Sequence, residues 1–103
     1  MRVRYAAPAA ADLDGILTYV AERSPGGAAR LADRLESLIA GLADFPELGA
    51  RTDEPGVRRL VVTPFPYLVF YEIARDEVLI LAVRHSARAE IASSRDAARG
   101  SSG

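Results

Sequence analysis

Val78-Leu79-Ile80-Leu81-Ala82-Val83, running into Arg84-His85, decides the fold of this chain. An apolar run with no polar alternation reads as a strand covered on both faces, and so as the middle of a sheet. Two strand-like runs precede it, Val57 to Thr63 and Tyr67 to Ile73. Pro64-Phe65-Pro66 separates the first pair, and Ala74-Arg75-Asp76-Glu77 the second. Connections this short join antiparallel neighbours.

Upstream the period changes from two to between three and four. Leu13, Ile16, Leu17 and Val20 predict an amphipathic helix from about Pro8 to Glu22. Gly15 weakens it by about 1 kcal/mol relative to alanine. Ser24-Pro25 stops this helix and restarts the next: Ser24 is a capping residue and proline suits the first helical position. Ala28, Leu31, Leu35, Leu38 and Leu42 then predict a second helix ending near Phe45, before Pro46. Val3 to Tyr5, alternating with Arg2 and Arg4, reads as a short strand, and Leu48 to Gly56 as a loop. The expected class is α+β in the order β-α-α-β-β-β. The helical hairpin packs on one face of an antiparallel sheet, and the other face is open to a partner. The expected organisation is a single domain over residues 1–88. Residues 89–103 form a marginal C-terminal helix or tail, with Ile91 as their one large apolar residue.

Composition narrows the function. The 103 residues suffice for one domain with its own core. Cysteine is absent, which removes disulfides and thiolate metal sites and fits a cytoplasmic protein. No apolar run approaches the roughly 20 residues of a membrane helix. All thirteen basic residues are arginine, against fourteen acidic ones. A net charge of −1 leaves room for a local basic patch but not for the strongly basic whole of a stand-alone nucleic-acid binder.

The chemically suggestive residues are Arg58, Arg59, Arg84, His85 and Arg88, with Tyr67 and Tyr71. A lone histidine cannot build a usual metal cluster, and no Gly-rich phosphate loop or nucleophile elbow is present, so no cofactor is expected. Asp12 and Asp14 read as ordinary acidic neighbours on a solvated face. His85 could take a 2′-hydroxyl proton while arginines stabilise a phosphorane. The favoured reading is a hydrogen-bonded anchor where the chain leaves the sheet. The arginines could instead flank strand ends and pair with Glu72, Glu77 or a partner protein. The first and third strands of the hairpin sheet run in the same direction. Arg58 and Arg59 at the start of one are therefore expected far from Arg84 and His85 at the end of the other.

Several segments, in this order and spacing, resemble the RelE/ParE superfamily of toxin–antitoxin toxins, and more closely its ParE-like branch. They are Ala9-Ala10-Ala11-Asp12-Leu13 leading to Ile16 and Tyr19, the run Ala28 to Leu42, and Phe45-Pro46-Glu47-Leu48-Gly49. Gly56-Val57-Arg58, Tyr67-Leu68-Val69-Phe70-Tyr71-Glu72 and Val83-Arg84-His85-Ser86-Ala87-Arg88 complete the set. The resemblance implies the toxin of a type II system, held by a ParD/RelB-like antitoxin whose helical segment wraps it. Operator DNA would then be reached only through that antitoxin. RelE-like toxins cut messenger RNA on the ribosome, whereas ParE-like toxins inhibit DNA gyrase.

The departures from the pattern favour the second branch. RelE-like enzymes carry basic residues where this chain has Val61 and Leu68, and an aromatic near Ser94. Of their usual basic set Arg59 and Arg88 remain. The reading is therefore a gyrase inhibitor with no catalytic residue. Arg58, Arg59, Tyr67, Arg84 and Arg88 would contact target or antitoxin. The alternatives are an endoribonuclease using His85, Arg88 and Arg59, and a non-toxic antitoxin-binding module.

Overall fold

A computed structural model describes residues 1–88 of the chain. The elements are β1 (Arg2–Tyr5), α1 (Ala7–Arg23), α2 (Pro25–Gly41), β2 (Ala50–Arg51), β3 (Val57–Val61), β4 (Tyr67–Ala74) and β5 (Glu77–His85). A 3-10 turn over Ser86–Arg88 follows. The expected tail, residues 89–103, lies outside the described residues.

The five strands form one sheet in the order β1-β5-β4-β3-β2. β1 runs parallel to β5, and the other pairs are antiparallel. β5 is thus interior, as its apolar run requires. Among the described residues both helices pack on one face of the sheet, and the cover is accordingly one-sided. On the helix side Val78, Ile80 and Val83 are fully buried. They join Leu31, Leu35, Ile39, Leu60, Val62, Val69 and Tyr71 in the main core. On the opposite face Val57, Phe70 and Ala82 bury one another, while Leu68 and Leu81 are only half-buried. The expectation of cover on both faces is corrected to that extent.

One irregularity sets the side-chain direction along β5. Phe70 pairs with Ala82 and Tyr71 with Ile80, so Leu81 is an extra residue, a β-bulge. Beyond it Val83 and His85 point to the helices, and Ala82 and Arg84 to the open face. The β4–β5 turn is tighter than the sequence suggested. Ala74 and Glu77 pair, leaving Arg75-Asp76 as the loop, with Arg75 in the left-handed region at φ 56°.

The junction between the helices follows the capping chemistry. The Ser24 hydroxyl accepts from the Gly27 N–H at 3.0 Å, and Pro25 opens α2. α2 stops four residues short of Phe45. After Gly41 the chain tightens, and Leu42, Ala43 and Asp44 donate to carbonyls three residues back. The loop between α2 and β3 also holds an unexpected element, β2, whose two residues pair with Arg59 and Arg58.

Candidate functional site

β1 has four residues and β5 nine, so β1 accompanies only the first half of its neighbour. Its last sheet contact is the Ala6 N–H donating to the Ile80 carbonyl at 2.9 Å. Past that point no strand among the described residues lies beside β5 on this edge. The Asp12 side chain, one turn into α1, fills the gap. Its Oδ2 accepts from the Val83 N–H at 3.0 Å and from Arg84 Nη1 at 2.8 Å. Asp12 is therefore not the solvated acidic neighbour expected of it, and Arg84 pairs with Asp12 rather than with Glu72 or Glu77. Glu77 instead pairs with Arg4 at 2.8 Å and more loosely with Arg2. The hydrogen bond from Arg4 holds the Glu77 carboxyl below the usual carboxylate range and lifts the Arg4 guanidinium.

His85 ends β5. It sits opposite Tyr67, and the two rings meet edge to face with centroids 5.3 Å apart. Its Nδ1 accepts from the Ala87 N–H at 3.1 Å, which anchors the chain as it leaves the sheet. The Ser86 N–H closes the same corner by donating to the Pro66 carbonyl. A neutral imidazole with Nδ1 occupied as acceptor carries its proton on Nε2. This corner borders a surface groove of about 380 Å³ lined by Gly15, Ile16, Tyr19, Tyr67, His85 and Ala87.

Arg58 and Arg59 sit on β3. Arg58 donates to the carbonyls of Gly49 at 2.7 Å and Glu47 at 3.3 Å, so its charge is spent on the loop after α2. The Tyr71 hydroxyl grips the same loop, accepting from the Gly49 N–H at 2.8 Å and donating to the Pro46 carbonyl at 2.7 Å. Burial raises the Tyr71 phenol above its ordinary value, and the Gly49 bond opposes that shift. A Cβ on Gly49 would stand 2.8 Å from both the Arg59 carbonyl and the Tyr71 hydroxyl. Only glycine fits there. The motif Phe45-Pro46-Glu47-Leu48-Gly49 thus has a structural reason.

Arg59 is exposed and projects to the open face, beside Val61, which is 48% exposed. The sheet register places Arg59 opposite Phe70 and, across β4, Ala82. His85 lies opposite Tyr67, on the helix side. The structure therefore does not bring Arg59 and His85 together. Arg88 ends the 3-10 turn just past His85. The aromatic-equivalent position Ser94 lies outside the described residues. Sequence reasoning missed Asp12, although the unequal lengths of the first and last strands were a signal that some group must serve the amides left over. No group of three or more His, Asp or Glu able to hold a metal occurs among the described residues. No helix among them is long and apolar enough to cross a membrane.

The fold has close counterparts. A family model described as the ParE toxin of type II toxin–antitoxin system, parDE, matches residues 3–90. The chain belongs to the ParE toxin family. Toxin RelE2 of Caulobacter vibrioides is 42% identical over 80 residues, covering 78% of this chain and 89% of the relative. Putative toxin Y4kP of Sinorhizobium fredii is 35% identical over 85 residues, covering 82% and 88%. A chain from the chromosomal ParDE system of P. aeruginosa superposes with a TM-score of 0.73 at 25% identity, over 82% of this chain and 95% of its own. This ParE-family chain is thus the toxin type of a type II system, with the two-helix, five-strand α+β architecture of its relatives.

Proposed function

We propose that this ParE-family toxin inhibits DNA gyrase through surface contacts, and that a cognate antitoxin of the ParD/RelB type neutralises it. The observation that carries the reading is the separation of Arg59 and His85 onto opposite faces of the sheet. An acid–base histidine and a phosphate-stabilising arginine must converge on one reacting phosphate, within hydrogen-bond reach. The His85 Nδ1 is already engaged by Ala87, and the neighbouring Arg84 by Asp12. What faces solvent beside Arg59 is apolar, which suits protein contact better than phosphate binding. Operator DNA would be reached through the antitoxin, since the chain carries no excess of positive charge. Purified toxin added to gyrase should block supercoiling. Full supercoiling activity at a large molar excess of folded toxin would end this reading.

The second reading is a ribosome-dependent endoribonuclease. Its support is the name of the relative that is 42% identical, a RelE toxin. Under this reading His85→Ala and Arg88→Ala chains that still fold would lose toxicity, and transcripts would be cleaved on induction. Under the gyrase reading His85→Ala still arrests growth and transcripts stay intact.

A further inference from the structure

Val78-Leu79-Ile80-Leu81-Ala82-Val83 has strong strand propensity, no charge, no proline and no glycine. Segments of that composition pair with copies of themselves wherever a strand edge is left open. In β5 the run is only half shielded. β1 pairs with it from Glu77 to Ile80, and its last contact is the Ala6 N–H on the Ile80 carbonyl. From Leu81 onward β5 is a sheet edge, with no strand among the described residues beside it. The Val83 N–H points out of that edge, and Asp12 Oδ2 holds it at 3.0 Å. Asp12 has no helical reason for its place. It is the sixth residue of α1, beyond the first turn, where a carboxylate favours the helix dipole. Its position is nevertheless fixed. Leu13 and Ile16 pack against the core, Ala9 is fully buried, and Arg84 Nη1 clamps the same oxygen at 2.8 Å.

We infer that Asp12 is an edge guard: it keeps the second half of β5 from pairing with the same edge of a second copy of this chain. An incoming strand must exchange main-chain hydrogen bonds with β5, and the first amide it needs is that of Val83. Asp12 already fills that place. The excluded partner is a second copy because the edge is self-complementary. Two copies meeting antiparallel set Leu81, Ala82 and Val83 against the same apolar residues, with no like charges opposed within the run. Arg84 offsets the Asp12 charge, so the guard works by occupying the amide and not by repulsion. The inference is independent of the choice between gyrase and ribosome, since it concerns how this scaffold stays a single copy.

The test is sedimentation velocity over a concentration series, with hydrogen exchange on the same samples, the full chain and its variants being made by cell-free synthesis. Asp12→Ala should associate at a concentration lower than the wild-type chain by about tenfold or more. Its Val83 amide should exchange fast in dilute solution and regain protection as the oligomer forms. Asp12→Asn keeps an oxygen that can accept from Val83 and should behave as wild type. Asp12→Ser, whose shorter side chain stops short of the Val83 amide while staying polar, carries the same prediction as Asp12→Ala if the latter does not fold. Tyr71→Phe is the matched control, because it loses hydrogen bonds away from this edge. It should not associate. Wild-type sedimentation by folded Asp12→Ala or Asp12→Ser overturns the inference. Association of Asp12→Asn to the same extent overturns it, since the acceptor is then still present. Equal association by Tyr71→Phe, or association that leaves Val83 unprotected, traces the effect to lost stability or to another surface and overturns it too.

Discussion

The Tyr71 hydroxyl stands 2.8 Å from the Gly49 amide nitrogen, and the pair ties the loop after α2 to the centre of the sheet. Tyr71 is fully buried, so a lost partner is not replaced by water. Tyr71→Phe leaves the Gly49 N–H and the Pro46 carbonyl unsatisfied and should cost about 1–3 kcal/mol. Gly49→Ala should cost a similar amount, about 1–3 kcal/mol, because backbone and ring must move. Urea denaturation of both variants measures this. Wild-type midpoints would show that the loop is held by something else.

Asp12 should matter more than its position near a helix start suggests. Asp12→Ala strips acceptors from the Val83 N–H and from Arg84, at an expected cost of about 1–3 kcal/mol. Hydrogen exchange gives a local readout. The Val83 amide should exchange faster in Asp12→Ala, while amides in the β3–β4 pairing stay protected.

The Arg4–Glu77 pair gives a pH dependence of definite sign. The folded carboxyl titrates below its ordinary value of 4.5. Its contribution to stability is therefore present above that value and is lost as pH falls through the lower, folded one. Glu77→Gln should therefore be less stable than wild type above pH 4.5, and the two stability curves should converge as pH falls below it. The Arg4 side chain is 57% exposed, so added salt should shrink the difference.

Arg59 and Val61 test the open face as the surface that meets gyrase. Each is exposed, and Arg59→Ala with Val61→Asp should change stability by less than about 1 kcal/mol. The double variant should need at least severalfold more toxin for half-inhibition of supercoiling. Unchanged inhibition would move the contact away from this face.

Much of this architecture was legible in the sequence because it is governed by local rules. Ser24-Pro25 specifies a helix junction by capping alone, and the run from Val78 to Val83 specifies an interior strand by burial alone. Three features escaped for physical reasons. β2 has two residues, too few for any period, and lies where Tyr71 and Arg58 fix the preceding loop. Asp12 meets Val83 across 71 positions, a distance over which no local pattern operates. α2 looked longer than it is, since Leu42 keeps the helical spacing while the chain has already tightened after Gly41. At the candidate site, sequence reasoning singled out Arg58, Arg84 and His85 by residue type. Only geometry shows that two of these arginines hold the molecule itself together.

The extra residue at Leu81 reaches further than local twist. A strand exposes alternate residues to alternate sides, so one added residue exchanges the two sides for everything after it. Take Leu81 away and the sides swap: His85 would emerge on the same surface as Arg59, and Arg84 would turn under the helices. A histidine and an arginine would then share one open face, as a nuclease acting on phosphate would want. In this small scaffold one residue of backbone decides whether His85 and Arg59 share a face.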